Sequence, residues 1–172
     1  MELSKYVACI CEGAAEHAII ELLLDDGKLI FNYDDMLEGE VLRCRSANNF
    51  ETQYLRKGFT EKITVLRILD SRREQFKLSK AYADKIKVIN VITAPEIEML
   101  IILHERRYDD YKRSGMKPSV FCKSILRYSN VKSTRFVKDY FADTSALIYA
   151  LKEYKRVSAI PHGEYALADL LR

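Results

Sequence analysis

The stretch "YVACICEGAAEHAIIELLL", Tyr6 to Leu24, decides how the N-terminal part of the chain folds. Its first six residues are apolar or aromatic and read as a short buried strand, Tyr6–Cys11. The run stops at an acid, Glu12, followed at once by Gly13. A second acid, Glu16, comes four residues later, and from there apolar residues recur at positions 15, 18, 19, 22 and 23, the period of an amphipathic helix. Asp25-Asp26-Gly27 ends that helix. Two carboxylates therefore sit where a strand hands over to a helix.

The same theme recurs along the chain. "ITVLRIL", Ile63–Leu69, is rich in β-branched residues and ends at Asp70. "IKVINVIT", Ile86–Thr93, is the clearest strand, and Pro95 after it suits the first turn of a helix carrying Glu96, Glu98 and the apolar run Met99–Leu103. Leu29–Tyr33 and Val41–Cys44 are short strands or irregular structure. Asn48–Arg56, capped by Asn48 or Asn49, and Glu74–Ile86 carry helical patterns. Beyond Thr93 the pattern is helical, over about 117–127, 134–141, 144–154 and 164–171. Strands alternating with helices predict an α/β fold, a small parallel sheet flanked by helices, with a helical C-terminal extension. The expected organisation is one domain, residues 1–172, with an α/β core at 1–105 and a basic helical extension at 106–172, free of repeats and low-complexity linkers.

At 172 residues, 48% of them hydrophobic and 31% charged, the composition is that of a globular protein. No apolar run approaches the roughly 18 residues of a membrane span, and Met1–Lys5 does not open a signal peptide, so a cytoplasmic protein without membrane contact is expected. Cys9, Cys11, Cys44 and Cys122 lack zinc-site spacing and are expected as reduced, buried thiols. The net charge of +3 is unevenly spread. Residues 106–138 hold ten Lys/Arg against two acids, a net of +8, which leaves 3 − 8 = −5 for the rest. That asymmetry points to an anionic partner or, more plainly, to solvated helix faces.

In open parallel sheets, ligands bind outside the carboxyl ends of the strands. Glu12 and Asp70 each follow a strand, and Glu96 and Glu98 follow a third. Carboxylates gathered at one edge repel one another unless a cation such as Mg²⁺ or Mn²⁺ lies among them, and such ions take carboxylate and water oxygens. Gly13 allows close backbone approach at the turn, and Glu16 complements the helix N-terminus. Each acid also has a plain structural role open to it: Glu16 as a helix charge, Asp70 as a cap, Glu98 as a solvated residue.

These residues resemble a known pattern. "VACICEGAAE" is similar to the first motif of the TOPRIM domain, and its Glu12-Gly13-Ala14-Ala15-Glu16 form is similar to the OLD-type branch that includes the RloB-like proteins of abortive-infection systems. "VLRILDSRRE", Val65–Glu74, falls where that family's Asp-x-Asp motif sits, and "APEIEMLIILHE", Ala94–Glu105, resembles the Pro-x-x-Glu, apolar helix and His of RloB-like proteins. The resemblance spans about residues 5–105. It implies a TOPRIM, Rossmann-like sheet and metal-dependent chemistry on nucleic-acid phosphodiesters. It assigns Glu12 as general acid/base or metal ligand, Glu16 as a supporting residue, Asp70 as the principal Mg²⁺ ligand and Glu98 as a further metal ligand. One departure stands out: the family's second Asp is here Arg72. Either Glu74 replaces the lost ligand, or the metal is held weakly or not at all and Arg72 and Arg73 grip phosphate directly.

The expectation is a nuclease cutting DNA or RNA, tRNA included, as an effector of anti-phage defence, with Glu12, Glu16 and Asp70 catalytic and Glu12, Asp70, Glu74 and Glu98 as metal ligands. Arg72, Arg73, Arg106, Arg107, Lys112 and Arg113 would hold the nucleic acid. Tyr108, Tyr111, Tyr128 and Tyr140 either stack on bases or pack helices. His104 either reaches the site or is structural; His17 is a weaker phosphate contact, and His162 has no assigned role. The alternative is a catalytically impaired module that binds nucleic acid or a partner protein, which Arg72 favours. A third reading is an effector released by a partner; the chain lacks a phosphate-binding loop motif, so a sensor ATPase would be another chain. Homo-oligomerisation stays open.

Overall fold

The computed structural model of the chain describes residues 1–55, 61–72 and 75–172. Among these residues three strands, β1 (Tyr6–Cys11), β2 (Ile63–Leu69) and β3 (Ile86–Ile92), form a parallel sheet in the order β1-β2-β3. The register pairs Ile10 with Arg67 and Arg67 with Asn90, so β2 is the central strand. Every residue of β2 is buried, as expected for a parallel strand covered on both faces. Among the described residues eight helices lie between and after the strands: α1 (Ala14–Asp25), α2 (Ala47–Tyr54), α3 (Lys80–Ala83), α4 (Glu96–His104), α5 (Tyr108–Ser114), α6 (Pro118–Ser124), α7 (Thr134–Tyr140) and α8 (Thr144–Val157). The fold is the predicted one: α/β, with a small parallel sheet flanked by helices.

Neither outer edge of the sheet is bare. Beside β1, Cys11 N–H donates to the Leu42 carbonyl at 3.1 Å and Leu42 N–H to the Cys9 carbonyl at 2.8 Å. Beside β3, Ile92 N–H donates to the Tyr165 carbonyl at 3.0 Å. These single bridges satisfy edge groups that would otherwise invite strand pairing. The C-terminal segment expected as a helix over 164–171 is therefore extended at Tyr165, and only a 3₁₀ turn, Leu167–Leu170, remains helical. The expected helix at 74–86 is reduced to the single turn α3 within the described residues. The cap of α2 is Ser46, whose side chain accepts from Asn49 N–H at 3.2 Å, in place of Asn48 or Asn49.

Pleat alternation divides the core in two. One face carries Val7, Cys9 and Cys11 of β1, Leu66 and Ile68 of β2, and Ile89 and Val91 of β3. It packs against α1, α4, α6, α7 and α8, whose buried residues include Ile19, Leu100, Phe121, Val137 and Leu151. The other face carries Ala8, Ile10, Ile63, Val65 and Ile86 against Phe50 of α2 and Leu55. Burying each such Leu, Ile or Phe contributes about 1.5–3 kcal/mol. The C-terminal helices share the larger cluster with the sheet, so they complete its core. All four cysteines are free and buried. Burial, then the neighbouring Cys9, holds the Cys11 thiol well above its usual range, and burial pushes Cys122 to about 12.

Candidate functional site at the carboxyl ends of the strands

The first acid, Glu12, sits one residue beyond β1 and follows the Ala8–Ile10 side of its pleat. Arg67, in the middle of the central strand and 0% exposed, lies on the same side as Ile63 and Val65. Its Nη2 donates to Glu12 Oε1 at 3.2 Å, and the Glu12 side chain is only 8% exposed. The guanidinium also lies over the Phe76 ring, 4.8 Å from the centroid. A buried cation requires a counter-charge, because desolvation without one costs several kcal/mol. Glu12 supplies it, and Phe76 covers the guanidinium face.

Glu16 is on the other side of the sheet. It is buried, and its Oε1 accepts from the Thr93 hydroxyl at 3.0 Å. That hydroxyl is shared with the Leu69 carbonyl, also at 3.0 Å, while Thr93 N–H donates to Leu69 at 2.7 Å. The carboxylate thus joins the start of α1 to the ends of β2 and β3. It folds back over Gly13, where a Cβ would fall 1.9 Å from Glu16 Oε2. Gly13 has φ −90° and ψ 154°, which any residue adopts, so space and not backbone freedom demands glycine here.

Asp70 follows β2 on the Leu66–Ile68 side, so the pleat starts it toward the face opposite Glu12. It is exposed and has no ion pair or hydrogen bond among the described residues. Glu98 lies on α4, buried, with Oε1 3.5 Å from Lys132 Nζ; its buried Oε2 has no hydrogen-bond partner among the described residues. Glu74 and Arg73 fall outside the described residues.

Of the expected metal ligands, Glu12, Asp70 and Glu98 are described and do not form one cluster, and Glu74 lies outside the described residues. Among the described residues, no group of three or more His, Cys, Asp or Glu side chains is placed to hold a metal ion. Glu12 is committed to Arg67, Glu16 to Thr93 and Glu98 faces Lys132, while Asp70 stands apart. Glu12, Glu16 and Glu98 thus each have a separate local partner.

The expected phosphate-gripping residues are also partly committed. Arg72 Nε lies 2.9 and 3.0 Å from the two Glu164 oxygens. Arg107 and Arg113 both pair with Asp110. Lys112 lies 5.7 Å over the Tyr108 ring, and Arg106 is exposed without an ion pair among the described residues. Every one of the ten Lys/Arg between 106 and 138 is exposed.

The tyrosines pack helices. Tyr128 and Tyr140 both donate to Glu105 Oε1, at 2.8 and 2.7 Å, and Tyr111 meets Phe121 edge to face. Since Tyr140 spends its hydrogen on Glu105, its oxygen accepts from His104 Nδ1–H at 2.9 Å. His104 is therefore structural, wedged edge-on against Tyr140 and Phe141. Hydrogen bonding to Glu105 raises the Tyr128 hydroxyl pKa; burial and Glu105 raise that of Tyr140. His17 lies 3.5 Å from Glu21 on the same helix.

Sequence reasoning missed Arg67, and a signal for it was present. "ITVLRIL" places a guanidinium in an apolar strand expected to be buried, and such a charge needs an acid nearby. The chain matches no family model, no curated protein and no solved structure.

Proposed function

We propose that the chain is a nucleic-acid-binding module of TOPRIM-like build, whose strand-end carboxylates serve the fold and not a metal centre. The observation that carries the binding part is the segment 106–138, with ten exposed Lys/Arg and two acids on a molecule whose remainder is −5. Exposed cations that release counterions from phosphates supply affinity without sequence preference. Arg106 and Lys112 are the members of the predicted set without an acid partner among the described residues. The Glu12–Arg67 pair favours binding over cutting, because a carboxylate neutralised by a buried guanidinium is a poor ligand and a poor base.

Fluorescence anisotropy of labelled single-stranded RNA and duplex DNA, in Mg²⁺ and in EDTA, tests this reading. Expected are binding that weakens steeply with salt, no dependence on the metal, and intact nucleic acid after incubation. Arg106→Ala with Lys112→Ala should lower affinity for all sequences and flatten the salt slope by about one per residue. Absence of salt-sensitive binding refutes the proposal.

A second reading, a metal-dependent nuclease of the kind the TOPRIM resemblance implies, is favoured by one observation. Asp70 is exposed at the carboxyl end of the central strand, with no partner among the described residues. Cleavage that requires Mg²⁺ or Mn²⁺ and disappears in both Glu12→Ala and Asp70→Asn would replace the first reading with this one.

A further inference from the structure

Two segments of the chain carry complementary surfaces, and among the described residues no ion pair or hydrogen bond joins them. Residues 111–138 contain no acid at all. Within them α6 buries Phe121 and Cys122 and turns Val120 and Lys123, three residues apart, to solvent. Met116, Val120 and Ile125 are 37%, 45% and 40% exposed, half of the large apolar side chains so exposed among the described residues. Lys117, Lys123 and Arg127 lie between and beside them, exposed and without an ion pair among the described residues. Phosphate backbones offer nothing to exposed aliphatic side chains, so these three cations, interleaved with Met, Val and Ile, suit an acidic protein surface, and the other seven of the segment, Arg106 and Lys112 among them, are left to the nucleic acid.

Such a surface exists on the chain itself. Between Lys28 and Arg43 there is no basic residue; Asp34, Asp35 and Glu38 stand on two 3₁₀ turns, Tyr33–Asp35 and Leu37–Gly39, and Glu40 follows the second in extended backbone. The turns are fixed. Asn32 accepts from Asp34 N–H at 2.8 Å, Asp35 accepts from Asn32 N–H at 2.9 Å, and Met36 and Leu42 bridge to β1. Asp34, Glu38 and Glu40 are exposed without a cation partner among the described residues, beside the exposed Tyr33. We infer that the basic, apolar face of α6 docks on the acidic 32–40 segment of a second copy of this chain. The contact is between unlike surfaces: two of them about a two-fold axis close a dimer, and otherwise they propagate. Docking unpaired acids and cations held on rigid elements avoids the ordering cost of flexible loops.

Sedimentation equilibrium of the full chain at low and high salt tests the proposal. The expected mass exceeds the 20.0 kDa of one chain at low salt and falls to it at high salt. The triple variants K117E/K123E/R127E and D34K/E38K/E40K should each associate at least about tenfold more weakly. An equimolar mixture of the two should recover association, since it restores opposite charges across both contacts of the mixed pair; circular dichroism confirms that both variants fold. A wild-type chain of 20.0 kDa at low salt overturns the proposal. So do triple variants that associate like wild type, or a mixture that fails to recover. Because nucleic-acid affinity is read separately, loss of binding in K117E/K123E/R127E without any change of mass assigns α6 to nucleic acid and also overturns it.

Discussion

Glu12 and Glu16 leave the chain one helical turn apart and end on opposite faces of the same sheet. Glu12 turns toward the α2 side and neutralises a fully buried arginine from the central strand. Glu16 turns toward the α1 side, folds over Gly13 and holds Thr93 at the ends of β2 and β3. Spacing along the chain brings two acids to one turn, but the pleat and the helix decide which face each serves. Nearness in sequence therefore does not put an i, i+4 acid pair on one face of the sheet.

The largest difference between the two faces is expected at Arg67. Arg67→Leu leaves Glu12 without its buried partner and should cost about 3–5 kcal/mol in urea unfolding. Combining it with Glu12→Leu should recover much of that loss, because an apolar pair replaces a paired charge at little net cost. An additive double variant would show that the two side chains do not act on each other.

On the other face the corresponding change is Gly13→Ala. The new methyl has to displace the Glu16 carboxylate, and a cost of about 1–3 kcal/mol is expected. Glu16→Ala removes the obstacle, so the double variant should be markedly less unstable than the sum of the two. Thr93→Val, which keeps the shape and deletes the hydroxyl, should cost about 1–3 kcal/mol by leaving Glu16 buried without its donor. These losses should appear in thermal or urea unfolding without dependence on added Mg²⁺.

A smaller effect concerns how α7 is tied to α1. Burial pushes the Glu21 carboxyl up, but Lys138, at 2.8 Å, and His17 outweigh it and hold its pKa below the usual carboxylate value. Its stabilisation is present above the unfolded pKa and is lost as pH falls through the lower folded value. Acid unfolding profiles of wild type and Glu21→Gln should therefore converge at low pH and separate toward neutrality, with wild type the more stable. Parallel profiles would show that the pair contributes nothing.

Much of the fold was legible in the sequence. The strands fall at Tyr6–Cys11, Ile63–Leu69 and Ile86–Ile92, within a residue of the apolar runs that announce them, because a buried parallel strand has no way to hide its composition. The helix α5, "YDDYKRS", was illegible because it has no apolar stripe and no buried residue. Local pattern places Tyr165 in a helix, because its pairing with β3 is a long-range contact that such a pattern does not encode. The candidate site was legible only as residue types at strand ends. Partnership was not: Arg67, Thr93 and Lys132 come from distant positions in the chain, and each takes the acid that a shared cation would need.

The account stands on Glu12 being neutralised by Arg67 and not by a divalent cation. Electron paramagnetic resonance of Mn²⁺ titrated with the full chain measures this directly, since protein-bound Mn²⁺ loses its sharp solution signal. The account predicts an undiminished free-ion signal for wild type, with Glu12→Gln and Asp70→Asn indistinguishable from it. One equivalent of Mn²⁺ sequestered by wild type and released by both variants would contradict it.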